Sequence, residues 1–412
     1  MQAQNRVHEI SPSTFGKNFM RDPYPVYDDL RNHGNLAKYV VGSYVTWVVS
    51  DYDDILSLLR NKVLLSNKNL LLLESFYPKK YAELGEFFEL IKQWVVFMDG
   101  SMQTLYHKLM VRGLAKFLAK DHSESITRIV DTVLDGFEGR DSVDLVTEFA
   151  QKIPATVMNY IMGIPEEEAS RFIEQTNDII KFYGSIMAPA VDAVRARDAI
   201  VGMTEYFGRQ IEARRLAPSD DFIGFLLGHE DGVRQLTPQN LQSLCVSLLF
   251  GGYETTTHLL STGALCFHLF PEQRKKLLAD PRLIDNAIDE VLRYDSPAQM
   301  LGRVAGDTFE FKGVTIAKDD RVLLLLGAAN NDPTRFENPR QFDIERKFTT
   351  VPLTFGAGPH NCPGAALTKS EARVAFLKLL ERFPDYRPPA TAPDWKTVNP
   401  GFRGLQSLTV SL

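Results

Sequence analysis

A single cysteine near the C-terminal end, Cys362, is set in Phe355-Gly356-Ala357-Gly358-Pro359-His360-Asn361-Cys362-Pro363-Gly364. The two glycines ahead of it predict a tight, bulged hairpin with positive φ angles. Pro363 suits the first position of a helix, and the helix-forming run from Ala365 to Leu380 follows. That arrangement places Cys362 at a helix N-terminus, where free N–H groups favour the thiolate. A thiolate held in this way is a nucleophile or a metal ligand. A second group, Gly251-Gly252-Tyr253-Glu254-Thr255-Thr256, lies in the middle of a long apolar pattern. Two glycines cost roughly 1 kcal/mol each in a helix interior relative to Ala, and a buried acid adds desolvation. Broken local rules in a core point to a functional site. The spacing predicts a hydrogen bond from the Thr255 hydroxyl to the Gly251 carbonyl, loosening the helix. A third group, Glu290-Val291-Leu292-Arg293, puts an acid and an arginine on one helix face.

The elements that must position these groups are mostly helical. The central candidate has Thr237 as N-cap, Pro238 at its first position and Pro271 as its stop. Its length of about 33 residues, at ~1.5 Å each, crosses roughly 50 Å. Strand-like runs occur at Leu36–Val41 and Tyr44–Val49, then at Phe309–Ile316, Val322–Leu326 and Gly401–Leu412. Between Ile55 and about Leu301 the pattern is helical. The fold class is therefore mainly α with a small β-subdomain drawn from both ends of the chain. No repeat or linker divides the sequence, which reads as a single domain over 1–412 with an N-terminal tail over about 1–20.

The bulk properties exclude several classes. A 44% hydrophobic and 24% charged composition over 412 residues supports an extensive core. The net charge of -6 argues against a nucleic-acid binder. No apolar stretch approaches the ~18–20 residues of a membrane span, and Met1 to Ile10 lacks the apolar core of a signal peptide, so a soluble, cytoplasmic protein is expected. Three cysteines imply no disulfide framework, and Cys245 and Cys266 read as small buried hydrophobes. The absence of a CxxC pair or HExxH argues against zinc.

The cysteine loop, written F-G-x-G-x-H-x-C-x-G, resembles the haem-binding loop of the cytochrome P-450 family. Gly251 to Thr256 resembles that family's oxygen-binding segment, [A/G]-G-x-[E/D]-T-T, and Glu290/Arg293 its E-x-x-R pair. The resemblance runs from about Asp22 to Leu412. It implies the cytochrome P-450 fold, with haem b between the central helix and the cysteine-loop helix and Cys362 as the iron ligand. It further implies that Thr255 and Glu254 deliver protons to bound dioxygen, and that Phe355, Gly356 and Gly252 line the cofactor. His360 and Arg303 would meet the haem propionates. So would Gln103 and His107, which stand where bacterial members carry a His and an Arg. Either Arg340 or Arg346 would complete the Glu290–Arg293 cluster.

The activity implied is that of a soluble bacterial-type haem-thiolate monooxygenase, acting in specialised metabolism on a lipophilic or aromatic small molecule. Oxidative coupling or desaturation without oxygen insertion is an alternative, and a haem-thiolate sensor is one of another class. No flavin or nicotinamide motif is visible, so electrons would come from a separate ferredoxin and reductase. Lys108, Arg112 and Lys116 form a basic stripe at i, i+4, i+8 where such a donor would dock. The substrate pocket is expected near Leu248, Ala298, Leu301 and Phe402. Phe76, Tyr77, Phe87, Phe88 and Trp94 make the insertion Ser66–Val96 a candidate aromatic lining or a packed lid.

Overall fold

In the computed structural model the described residues are 7–69, 84–119, 122–183, 190–229, 236–388 and 392–412. The helix Pro238–Leu269 runs through the body of the molecule. Its start is fixed by a reciprocal cap. The Thr237 hydroxyl accepts from Asn240 N–H at 3.2 Å, and Thr237 N–H donates to Asn240 Oδ1 at 3.1 Å. Its apolar side chains face helices Lys152–Met162, Ala190–Leu216 and Ala365–Arg382, so burial on nearly every side replaces the usual single stripe. The last of these carries the cysteine loop at its N-terminal end. The two helices meet where the Thr256 and Thr368 hydroxyls lie 3.3 Å apart. Further on, the Phe267 and Phe376 rings pack edge to face at 5.3 Å. The pair therefore runs in one direction, with Gly251–Thr255 and Cys362 both upstream of the seam.

The β-structure joins the chain ends as expected. A six-stranded sheet has the order His8–Glu9, Leu36–Val41, Tyr44–Val49, Arg321–Leu324, Leu301–Ala305, Leu64–Leu65. The hairpin of the second and third strands has the limits read from the sequence, with Gly42 at φ 61° in its turn. The run Phe309–Ile316 is a second hairpin, turning at Lys312-Gly313. The C-terminal run divides in two: Leu405–Ser407 pairs with Asp394–Trp395, and Thr409–Ser411 with Ser142–Asp144. The N-terminal tail needs correction. His8–Glu9 pairs with Ala37 and Lys38, and Phe15 and Phe19 are buried against Tyr27 and Tyr39, so residues from His8 onward belong to the fold. The helix after the cysteine also starts later than Pro363 suggests, at Ala365 with Gly364 as its cap.

Glu290 and Arg293, on helix Ile284–Tyr294, are fully buried and doubly bonded, at 2.7 and 2.8 Å. Arg346 completes the cluster, donating to Glu290 Oε2 at 3.0 Å. Arg340 instead lies over the Tyr24 ring at 3.1 Å. The remaining donors of the two clustered arginines go to backbone carbonyls of Asn330, Glu337, Pro339 and Gln341, which lie in the stretch leading to the cysteine loop. Next to them Asn330 Nδ2 donates to Ser296 Oγ and Thr354 Oγ1, and Leu353 N–H donates to Asn330 Oδ1 at 2.6 Å. Glu290→Gln leaves the buried Arg293 and the half-buried Arg346 short of a counter-charge, at a cost of about 3–5 kcal/mol. We expect a marked fall in the chemical-denaturation midpoint and in soluble yield, and a smaller fall for Arg346→Met at the cluster's edge.

Candidate active site

The loop before Cys362 folds as its glycines demand. Gly356 and Gly358 have φ of 67° and 73°, and Cys362 N–H donates to the Phe355 carbonyl at 2.8 Å, closing the turn. Backbone N–H groups of Gly364 and Ala365 point at the sulfur. Burial nonetheless pushes the Cys362 thiol up, and these two donors only partly offset it. The helix terminus alone therefore does not secure the thiolate expected from sequence. A bound metal ion would, because coordination removes the thiol proton.

The opposite wall is the central helix. Thr255 Oγ1 donates to the Gly251 carbonyl at 3.1 Å, the predicted bond. A Cβ placed on Gly251 would meet nothing within 4 Å, although the helix around it is packed in the core. Leu248, Gly251 and Thr255 share this face by their i, i+3, i+7 spacing. Gly252, expected beside the cofactor, points elsewhere: its Cβ would fall 2.7 Å from the Met158 sulfur, so its role is helix packing. Glu254 is 4% exposed and faces away from solvent, between His258 Nε2 at 2.8 Å and Lys396 Nζ at 2.7 Å. Burial would raise its carboxyl; the imidazole and the ammonium outweigh burial and bring it to about 2.

The residues expected at the haem propionates mainly brace the loop. Gln103 Nε2 donates to the Pro359 carbonyl at 2.7 Å, and His107 Nε2 lies 2.7 Å from the Asn361 carbonyl. Both side chains grip the backbone flanking His360 and Cys362. His360 Nε2 is 3.4 Å from Asp99 Oδ1 and 3.3 Å from Ser66 Oγ. Asp99 in turn accepts from the Ser66 and Asn67 N–H groups. Burial of Asp99 is outweighed by His360 first and then by these N–H groups, which together lower its carboxyl below the usual range. Arg303 is 6% exposed and donates to the Gly302 carbonyl at 2.8 Å. It shares a strand face with Leu301, whose side chain lies against Gly356.

Of the pocket residues, Ala298 and Phe402 pair through an isolated β-bridge. Phe87 and Phe88 are core residues packed on Phe182, the lid alternative, whereas Trp94 packs on Phe250 at 4.8 Å, next to Gly251. Phe76 and Tyr77 lie outside the described residues. On helix Gly100–Ala119, Lys108 and Arg112 are exposed, but Lys116 is paired with Asp220 at 2.7 Å, so the basic stripe is shorter than its sequence. Sequence reading missed Asp99, His258, Lys396 and the Asn330 knot. Only His258 carried a signal, its i+4 spacing from Glu254.

The family model "Cytochrome P450" matches residues 22–402. This chain belongs to the cytochrome P450 family. It is 32% identical to the biotin biosynthesis cytochrome P450 of Bacillus subtilis, over 98% of this chain and 99% of that protein. It is 31% identical to the polyketide biosynthesis cytochrome P450 PksS of the same organism, over 96% and 97%. The crystal structure of P450BioI in complex with hexadec-9Z-enoic acid ligated acyl carrier protein superposes with TM-score 0.87 at 30% identity, covering 96% of this chain and all of that one. The protein is a cytochrome P450 monooxygenase, with haem b as its cofactor, a small-molecule substrate, dioxygen and a redox partner. No helix among the described residues is long and apolar enough to cross a membrane. The residues present fit haem: a cysteine sulfur with aligned N–H donors on one wall, and a helix face without a Cβ at Gly251 on the other.

Gly251→Leu and Gly252→Ala separate the two glycines. Leu at 251 removes a glycine from a helix interior, worth about 1 kcal/mol, and fills the open face. The apoprotein should unfold at an equal or higher midpoint while haem uptake, read from the ratio of Soret to protein absorbance, falls. Gly252→Ala carries a similar helix gain against a forced shift of the Met158 side chain, so its midpoint should lie below that of Gly251→Leu while haem uptake is kept.

Proposed function

We propose that the chain inserts one oxygen atom of dioxygen into a lipophilic, extended small molecule, by hydroxylation or epoxidation, with electrons from a ferredoxin. Bound haem supplies the activation of dioxygen and of the substrate C–H bond. The protein's part follows from its own residues. Cys362 holds the iron. Thr255, with its proton donated to the Gly251 carbonyl, keeps an oxygen lone pair turned into the site, where it accepts a proton-bearing neighbour and fixes its position. Glu254 behind it is the charge that exchanges protons with that chain. His360 and Arg303 are the remaining candidates for the propionates, in the partly desolvated setting where charge-assisted bonds are strongest.

The lining carries the substrate reading. The residues assigned to the substrate side, Leu248, Ala298, Leu301 and Phe402, are apolar, and Trp94 packs on Phe250, the residue before Gly251. Such a wall favours a ligand bound mainly by area, with few polar anchors. That P450BioI is bound to a C16 acyl carrier protein, and that PksS is named for polyketide biosynthesis, supports an acyl- or polyketide-derived chain. Titrating the ferric protein with long-chain fatty acids, macrolides and small polar aromatics should give a high-spin absorbance shift for the first two. A response confined to the polar set would refute the reading. Ferredoxin docking on the helix of Lys108 and Arg112 is supported by its contacts with the cysteine loop through Gln103 and His107.

Thr255→Ala should keep haem and substrate binding but divert reducing equivalents to hydrogen peroxide. Losses of this type commonly run ~10²–10⁴-fold. Product formed per NAD(P)H consumed measures it, and unchanged coupling would remove Thr255 from proton delivery.

A further inference from the structure

Glu254 is held from one side only. Both contacts described above fall on a single oxygen, Oε1: Lys396 Nζ donates to it at 2.7 Å, and His258 Nε2 lies 2.8 Å from it at a charge-pairing distance, without the alignment of a hydrogen bond. Oε2 is buried and has no partner among the described residues. His258 is itself 2% exposed, with its Nδ1 also unpartnered. Its ring fills the place a side chain would take at residue 404: a Cβ on Gly404 would lie 2.0 Å from it. The backbone is thus built around this imidazole, since the segment bearing Lys396 returns at Gly404, whose carbonyl accepts from Lys396 N–H at 3.0 Å.

A buried anionic oxygen left without a donor is costly and rare. One that persists while its twin is doubly engaged is a candidate working atom. We propose that Lys396 and His258 are the positioning residues of Glu254, clamping Oε1 from behind so that Oε2 is presented as the acceptor through which protons pass towards Thr255. The inference rests on the reading of Glu254 and Thr255 as the proton-delivery pair. A proton accepted at Oε2 is released from Oε2 on the Thr255 side and Glu254 returns to carboxylate. Lys396 stays an ammonium and His258 a neutral imidazole throughout, so the clamp neither gains nor loses charge. Among the described residues the groups acting on Glu254 are His258 on its own helix and Lys396 from the C-terminal segment, and Tyr253 is its other titratable neighbour. Burial holds the His258 imidazole below its ordinary value against the pull of Glu254, in keeping with a neutral partner.

The test is infrared pH-difference spectroscopy of the holoenzyme, with the Glu254 band assigned by its loss in Glu254→Gln. Lys396 is partly exposed, so Lys396→Met is compatible with folding. Removing an opposing charge raises a carboxyl by about 1–3 pH units, and the band in Lys396→Met should titrate higher by that amount. Lys396→Arg should restore it, and His258→Asn, which removes a packed ring but no charge, should shift it by much less than Lys396→Met does. The acid limb of product formed per NAD(P)H consumed should follow the infrared shift across these variants. An unshifted band in Lys396→Met overturns the clamp whatever turnover does. A shifted band with full coupling in Glu254→Gln shows the clamp but overturns the delivery role assigned to Oε2.

Discussion

A carboxylate removed from water needs its charge answered at every lone pair, and Glu290 is where this fold meets that demand. Its two oxygens accept from Arg293 twice, from Arg346 once and from the Asp343 N–H at 2.9 Å. The arginines then spend their other donors on carbonyls of the 330–341 stretch. One buried charge thereby fixes an irregular segment that has little regular secondary structure to hold it. That segment ends at Leu353–Phe355, the threshold of the cysteine loop. Buried ion pairs of this kind are weak arguments for net stability; what this one supplies is geometry. Asn330, Ser296 and Thr354 carry the constraint onward, so the position of Cys362 is set from below by polar contacts as much as by packing.

The same loop is gripped from the side. Gln103 and His107, one helical turn apart, take the carbonyls of Pro359 and Asn361, and Asp99 takes His360. These residues stand where the sequence pattern points to cofactor contacts, and in the structure they hold the cysteine loop. Glutamine and histidine can do this because their donors reach a carbonyl directly.

Much of the site was legible in the sequence because it breaks local rules. Gly356, Gly358 and the Thr255–Gly251 bond follow from steric and hydrogen-bonding requirements that act within a few residues. Strand limits at Leu36–Val41 and Tyr44–Val49 follow from alternation across a tight turn. What failed were statements about direction and long-range partners. Gly252 and Gly251 look alike in one dimension, and only the approach of Met158 from another helix distinguishes them. Arg340 and Arg346 are equivalent by composition, and the choice between them depends on the Tyr24 ring, 316 positions away in sequence. Lys116 looks like part of a free stripe until Asp220 is placed beside it.

Glu254 and Glu290 make the contrast that links stability to function. Each is a buried glutamate with a cationic or imidazole partner one turn along its own helix and a second cation from the C-terminal third of the chain. Glu290 has both oxygens fully engaged, and nothing is left over for a proton or a ligand. Glu254 has one oxygen approached by two groups and the other, among the described residues, by none. If folding alone had shaped both sites, the second oxygen of Glu254 would have acquired a donor, since a backbone N–H or hydroxyl suffices. A charge held stationary but incompletely satisfied is suited to passing protons, because the energy that would stabilise it permanently is left available to whatever arrives.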